Sequence, residues 1–328
     1  NSWYKKEKPI LGYAGFGGGA TSVFRKAGSA DASSIAWGGD RGVWGGGRDS
    51  SSNNTDRIDY VSLTSPGDAS DFGNLSANRR GVSGASSTAR CVFSGGREGS
   101  SVNTIEYVVI SSTGDASNFG DLSAGARNGI ASSSNGTYII LWGGYPSGSP
   151  IDNIEYLTID SASNTSNFGD LSQAEYLKGG ASDATRAIAF GGYTGSANIQ
   201  RIDYVTFSST GNAQDFGDLT TATRQGYACS DGTRAVFGGG YAGSITDTIE
   251  YITTQTTANA TNFGDMTQSR YRGAGTSSGT YGMFGGGDTG SATNAIDYFT
   301  IQTTANAQDF GDLTMSRTSL GAGAGSPS

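Results

Sequence analysis

Six carboxylates recur at one kind of place in this chain, each between an isoleucine and a tyrosine: Asp59, Glu106, Glu155, Asp203, Glu250 and Asp297. A second acidic set closes six segments as NFGDL or a close variant, at 71–75, 118–122, 167–171, 215–219, 262–266 and 309–313. Residues of these types suit two chemistries. Paired carboxylates flanking a bond support glycoside hydrolysis. Alternating oxygens, such as those of Asp68 and Asp71 or of Asp115 and Asp121, suit a calcium loop.

The pattern argues against both. The acids of the Ile-acid-Tyr triplets recur because a larger unit recurs, no lone Asp-Glu pair breaks the symmetry, and their place between apolar residues in a strand predicts that they face outward. The closing tags exchange Asp for Asn from copy to copy and lack the downstream bidentate Glu of an EF-hand, so Asx-type turn capping is the favoured reading. There is no histidine, hence no imidazole base and no His metal ligand. Cys91 and Cys229 lack any activating partner in view, and their spacing supports no bridge. Glycine runs such as 17–19 and 45–47 are followed by no Gly-Lys-Ser/Thr, so no phosphate loop is read from them. The expectation is a protein without enzymatic activity, catalytic residues, metal or cofactor.

The elements that carry these residues follow from the repeat. The tag phenylalanines fall at 72, 119, 168, 216, 263 and 310, a spacing of 47 to 49 residues. An aromatic followed by glycine keeps the same beat, at Trp44, Phe93, Trp142, Phe190, Phe237 and Phe284, and the Ile-acid-Tyr triplet is the third marker. Each unit reads as four strands: a small-residue segment (81–87), an apolar segment ending in glycines (89–96), an alternating segment (103–111) and the tag (117–123). Gly and Asp in 111–117 supply the turn. No useful stretch has a 3.6-residue apolar period. A four-stranded unit of this length repeated radially is a β-propeller blade, so the chain is expected to be all-β, with six four-stranded blades. The crowded inner strands explain the glycines. Either 33–40 or 319–326 can complete one blade by joining the two ends of the chain, and a seventh, composite blade using 11–19 is the alternative.

The marker order Arg80, Val92, Phe93, Gly95, Gly96, Tyr107, Phe119, Leu122 and then Arg127 resembles the kelch repeat over about residues 33–325. The chain departs from kelch by placing Phe-Gly-Asp where that family usually has Trp, and Glu175 and Tyr176 interrupt any ring of arginines.

In a propeller the loops between second and third strands share a face with the inter-blade segments. These loops differ most between units, and Arg48, Asn53, Asn54, Arg97, Tyr145, Tyr193 and Tyr241 are the candidate ligand-binding residues there, offering rings and amides to sugars or protein surfaces. A net charge of −8 spread along the chain disfavours a nucleic-acid partner, and no apolar run is long enough to insert in a membrane as a helix. Residues 1–30 form a basic lead, with Lys5, Lys6, Lys8, Arg25 and Lys26 against Glu7, suited to docking on an acidic neighbour or simply to solubility; the propeller is assigned to 31–328.

The cadence of 303–314 and the phrase at 3–22 also resemble repeat proteins of marine tailed phages. That resemblance implies a virion protein at the particle surface, a tail-fibre, tail-tip or capsid-attached adhesin. Its partners would be other virion proteins through the lead and a host surface glycan or protein through the loops. A capsid decoration module without a receptor and, third, a carbohydrate-active enzyme are the alternatives.

Overall fold

The structure, a computed structural model, describes residues 39–326; the basic lead and the 11–19 segment lie outside them. Among the described residues there is no helix, and strands build six four-stranded antiparallel sheets. In the second blade Ser83–Ser86, Arg90–Ser94, Thr104–Val109 and Ser117–Asp121 succeed one another from the axis outward. The inner strands of all six blades touch in a closed ring. The protein is a six-bladed β-propeller.

Closure comes from the C-terminus. Gly321–Gly325 supplies the inner strand of the first blade, pairing antiparallel with Arg41–Gly45 in the register Arg41 to Gly325. The first and last described strands thus share one blade, as a closed barrel or propeller requires if no inner edge is to remain open.

There is no single core. Six apolar clusters form, one at each blade interface. The pleat of the third strand explains how one strand serves two of them: Ile105 and Tyr107 join the cluster facing the third blade, while Val108 and Ile110 join the one facing the first. Burying one large apolar side chain contributes about 1.5–3 kcal/mol, so the interfaces dominate stability.

The tag earns its fixed form here. In the third-to-fourth strand ladder Ile105 pairs with Gly120 and Glu106 with Asn118, leaving Phe119 as the extra residue of a bulge. The same bulge recurs in every blade. It turns each phenylalanine into the interface, where Phe119 is 2% exposed. The following glycine allows close approach of the next blade's outer turn: a Cβ on Gly120 would collide with the Ser163 carbonyl. That turn is tied back to the tag. Asn164 Oδ1 accepts from the Asp121 amide at 2.9 Å, and the equivalent bond, 2.9–3.1 Å, is made at all six junctions.

Candidate functional site

The recurring acids face inward, contrary to the expectation from sequence. Asp59, Glu106, Glu155, Asp203, Glu250 and Asp297 are 0–5% exposed. The reason is an arginine at the entry to the same blade, itself fully buried: Arg79 meets Glu106 at 2.5 Å, Arg270 meets Asp297 at 3.0 Å, Arg317 meets Asp59 at 2.8 Å, and Arg127 pairs with Glu155. Burial pulls Arg79, Arg127 and Arg317 below the usual arginine range, with the partner carboxylates opposing the shift. The arginine that continues the series before Arg127 is therefore Arg79, and Arg80 stands elsewhere. The series is broken twice. Glu175 takes the position in the fourth blade, where Lys178 and Arg201 bridge it to Asp203. Thr223 takes it in the fifth, where Glu250 accepts from the Thr220 amide and hydroxyl and, among the described residues, meets no cation.

The tag residues hold the blade junctions through their backbone, since the amides of Asn74, Asp121, Asp170, Asp218, Asp265 and Asp312 donate to the Asx oxygens described above. The cysteines are free and buried, and burial raises both thiols. Neither is placed for thiolate chemistry.

Variation concentrates at one mouth of the central channel. Just past each entry position the chain adopts φ near +60°, at Gly81, Gly129, Leu177, Gln225, Arg272 and Ser319. The amide of each donates to the carbonyl of its counterpart in the preceding blade, at 2.5–3.2 Å, and Gly81 donates to Ser319 to close the cycle. A collar of six hydrogen bonds thus narrows the channel. Glycine is the unstrained choice at such φ, yet four of the six positions carry side chains, at a cost of order 1 kcal/mol each. Farther along the channel the inner strands are laced again. Ser134, Ser182, Ser230 and Ser277 each donate a hydroxyl to the preceding blade's serine carbonyl, and Ser86 donates to Ala324, all at 2.5–2.8 Å.

Above the collar opens a basin of about 490 Å³, within the range of small-ligand sites. Its rim is built from six short antiparallel bridges, one per blade: Thr318 with Arg48, Arg80 with Arg97, Asn128 with Tyr145, Tyr176 with Tyr193, Arg224 with Tyr241, and Tyr271 with Asp288. The backbone repeats and the residue pairs do not, although tyrosine holds the loop-side position in three successive blades, at Tyr145, Tyr193 and Tyr241.

Five of the seven residues singled out from sequence, Arg48, Arg97, Tyr145, Tyr193 and Tyr241, stand in these bridges, and of the five only Arg48 lines the basin itself. The tyrosines form an arc with residues the sequence reading passed over. Tyr145 packs on Tyr176 at 4.9 Å and Tyr176 on Tyr193 at 5.7 Å; the Arg224 guanidinium lies over Tyr193 at 4.1 Å and Tyr241 at 4.9 Å; Tyr271 follows at 5.9 Å. Burial beside Tyr145 and Tyr193 raises the Tyr176 phenol. The Asn54 side-chain amide donates to the carbonyls of Arg97 and Glu98 at 3.0 and 2.9 Å. Asn53 is exposed, its backbone amide held by Asp49. Arg97 and Tyr145 line a second groove of about 450 Å³ between the second and third blades.

Opposite the arc the rim is basic. Burial and then the like charges of Arg48, Arg97 and Arg272 lower Arg80. The signal that could have found the missed residues is positional: Arg80, Tyr176, Arg224 and Tyr271 each directly follow the entry position of their blade.

Compared with known proteins, the chain matches no protein-family model and no curated protein.

Proposed function

We propose that this propeller is a non-enzymatic attachment protein of a phage particle, of kelch-like repeat type, which presents its channel-mouth rim to the host surface. The observation that carries the reading is the contrast between a rigidly repeated frame and a rim whose six bridge pairs all differ in composition. Architecture alone would tolerate one repeated residue pair there; a recognition surface needs unlike neighbours. The resemblance to marine phage proteins supplies the particle, and the basic lead would dock on an acidic virion neighbour.

Three measurements test this. Antibody labelling of phage particles in electron micrographs is expected to mark tail or capsid surface, and absence from particles counters the virion assignment. Purified protein is expected to adsorb to host cells, with the triple variant Tyr145→Ala, Tyr193→Ala, Tyr241→Ala losing at least tenfold; unchanged adsorption removes the rim from the reading. Turnover of a polysaccharide, abolished by replacing one Asp or Glu, would overturn the non-enzymatic assignment.

A further inference from the structure

We propose that the channel-mouth basin binds an acidic saccharide, whose carboxylate or sulfate is held by Arg80 with Arg48 and Arg272 and whose ring rests against Tyr176. This deepens the attachment reading by naming the ligand class, and it rests on that reading only for its biological setting.

Four observations converge. First, the basin narrows beneath at the collar and is lined by all four of these residues. Second, Arg80 is the odd arginine of the molecule. Its predecessor Arg79 is buried in an ion pair with Glu106, whereas among the described residues the Arg80 guanidinium meets neither a carboxylate nor a side-chain hydrogen-bond partner, and its charged neighbours are further arginines. In a chain of net charge −8 this cluster is no by-product of basic composition. An incoming anion would relieve the repulsion and accept paired N–H bonds, which guanidinium offers in fork geometry.

Third, the acids in the same wall are engaged. Asp49 accepts from Asn53, and Asp288 accepts from the Gly290 amide and stands 3.7 Å from Arg272. Fourth, Arg272 reaches the basin from a backbone at φ +62°, where Gly81 and Gly129 show that glycine fits. Strain retained at a cavity wall points to a use for the side chain.

The saccharide, in preference to a bare anion, follows from Tyr176. The ring is wedged between Tyr145 and Tyr193 and is thereby held as a firm platform at the basin wall. Such a ring presents the part that lines the basin to a sugar while the arginines take its charge. A long nucleic acid fits poorly, because the acidic remainder of the molecule repels it outside the basin.

The test is calorimetric titration of the full chain with four probes: an oligogalacturonate, a sulfated chondroitin oligomer, a neutral cello-oligosaccharide of equal length, and inorganic sulfate. Expected is binding of at least one acidic oligomer, weakened by salt, with the neutral oligomer inert. Arg80→Ala is expected to weaken acidic binding roughly tenfold or more at unchanged melting temperature, since its side chain holds nothing in the fold. Tyr176→Ala should weaken the oligomer and leave inorganic sulfate unaffected. Equal binding of the neutral oligomer, undiminished binding by Arg80→Ala, or binding confined to an oligonucleotide or acidic peptide control overturns the inference. Host adsorption that persists in Arg80→Ala overturns this ligand and leaves attachment standing. Titration of an acidic oligomer by a protein that adsorbs to no cell overturns attachment and supports the basin.

Discussion

A buried carboxylate is stabilising or costly according to what meets it, and this molecule repeats the same acid with different partners. Glu155 faces Arg127, both nearly inaccessible. Removing its charge leaves a guanidinium buried alone, so Glu155→Gln is expected to cost about 3–5 kcal/mol, read as a lower denaturant midpoint. Glu250 sits at the same place with Thr223 where the arginine would be. There an amide relieves an unpaired charge, and Glu250→Gln is expected to shift the midpoint upward or leave it unchanged. Opposite signs for two chemically identical substitutions would establish the arginine as the deciding partner; equal losses would refute it. The sequence could not show this. The triplet displays an acid between apolar neighbours, which reads as outward-facing, while the cation that turns it inward lies 28 residues earlier in a segment that otherwise looks like a linker.

At the scale of strands and turns, most of the frame was legible because its causes are local. Glycine after Phe119, alternation in 104–109 and turn residues at fixed offsets each force a backbone shape that the chain writes six times. The crossing contacts were not legible: the collar, the Asx ties and the serine lacing join residues about 41–49 apart, and only closure of the ring brings them together. Lacing has one gap. Ala324, in the C-terminal strand, has no hydroxyl to give to Ser277 as its five counterparts give to theirs. Ala324→Ser is expected to add about 0.5–1.5 kcal/mol, seen as a higher melting temperature, and a loss would mean that the gap is needed for the latch to insert. The rim was half legible. Tyr145, Tyr193 and Tyr241 announce themselves after the glycines, whereas Tyr176, Arg224 and Tyr271 join them only through the short bridges.

For the molecule as a whole, the seam where the chain's ends meet differs in charge from the other junctions. Five junctions pair an Asp with an Asn; the last sets Asp312 on Asp68, with Asp309 near, and burial followed by these charges raises Asp312. A raised carboxyl binds more protons folded than unfolded, so stability from this group is present at acid pH and falls as pH rises from the usual carboxylate range through the raised value. Asp68→Asn, which retains an oxygen for the Asp312 amide, is expected to raise the melting temperature near neutral pH and to give little gain near pH 3, below both values. A gain independent of pH would rule out charge as the cause. Seen from the axis, the collar above this seam has a different consequence. Its six amides point along the circle, each donor engaged by a carbonyl of the preceding blade, and their dipoles cancel around the turn. The peptide backbone therefore offers an entering anion nothing to hold. On the proposed attachment reading, selectivity at the mouth therefore resides in exchangeable side chains, and substitution at the rim would change the ligand while the hoop beneath stays as it is.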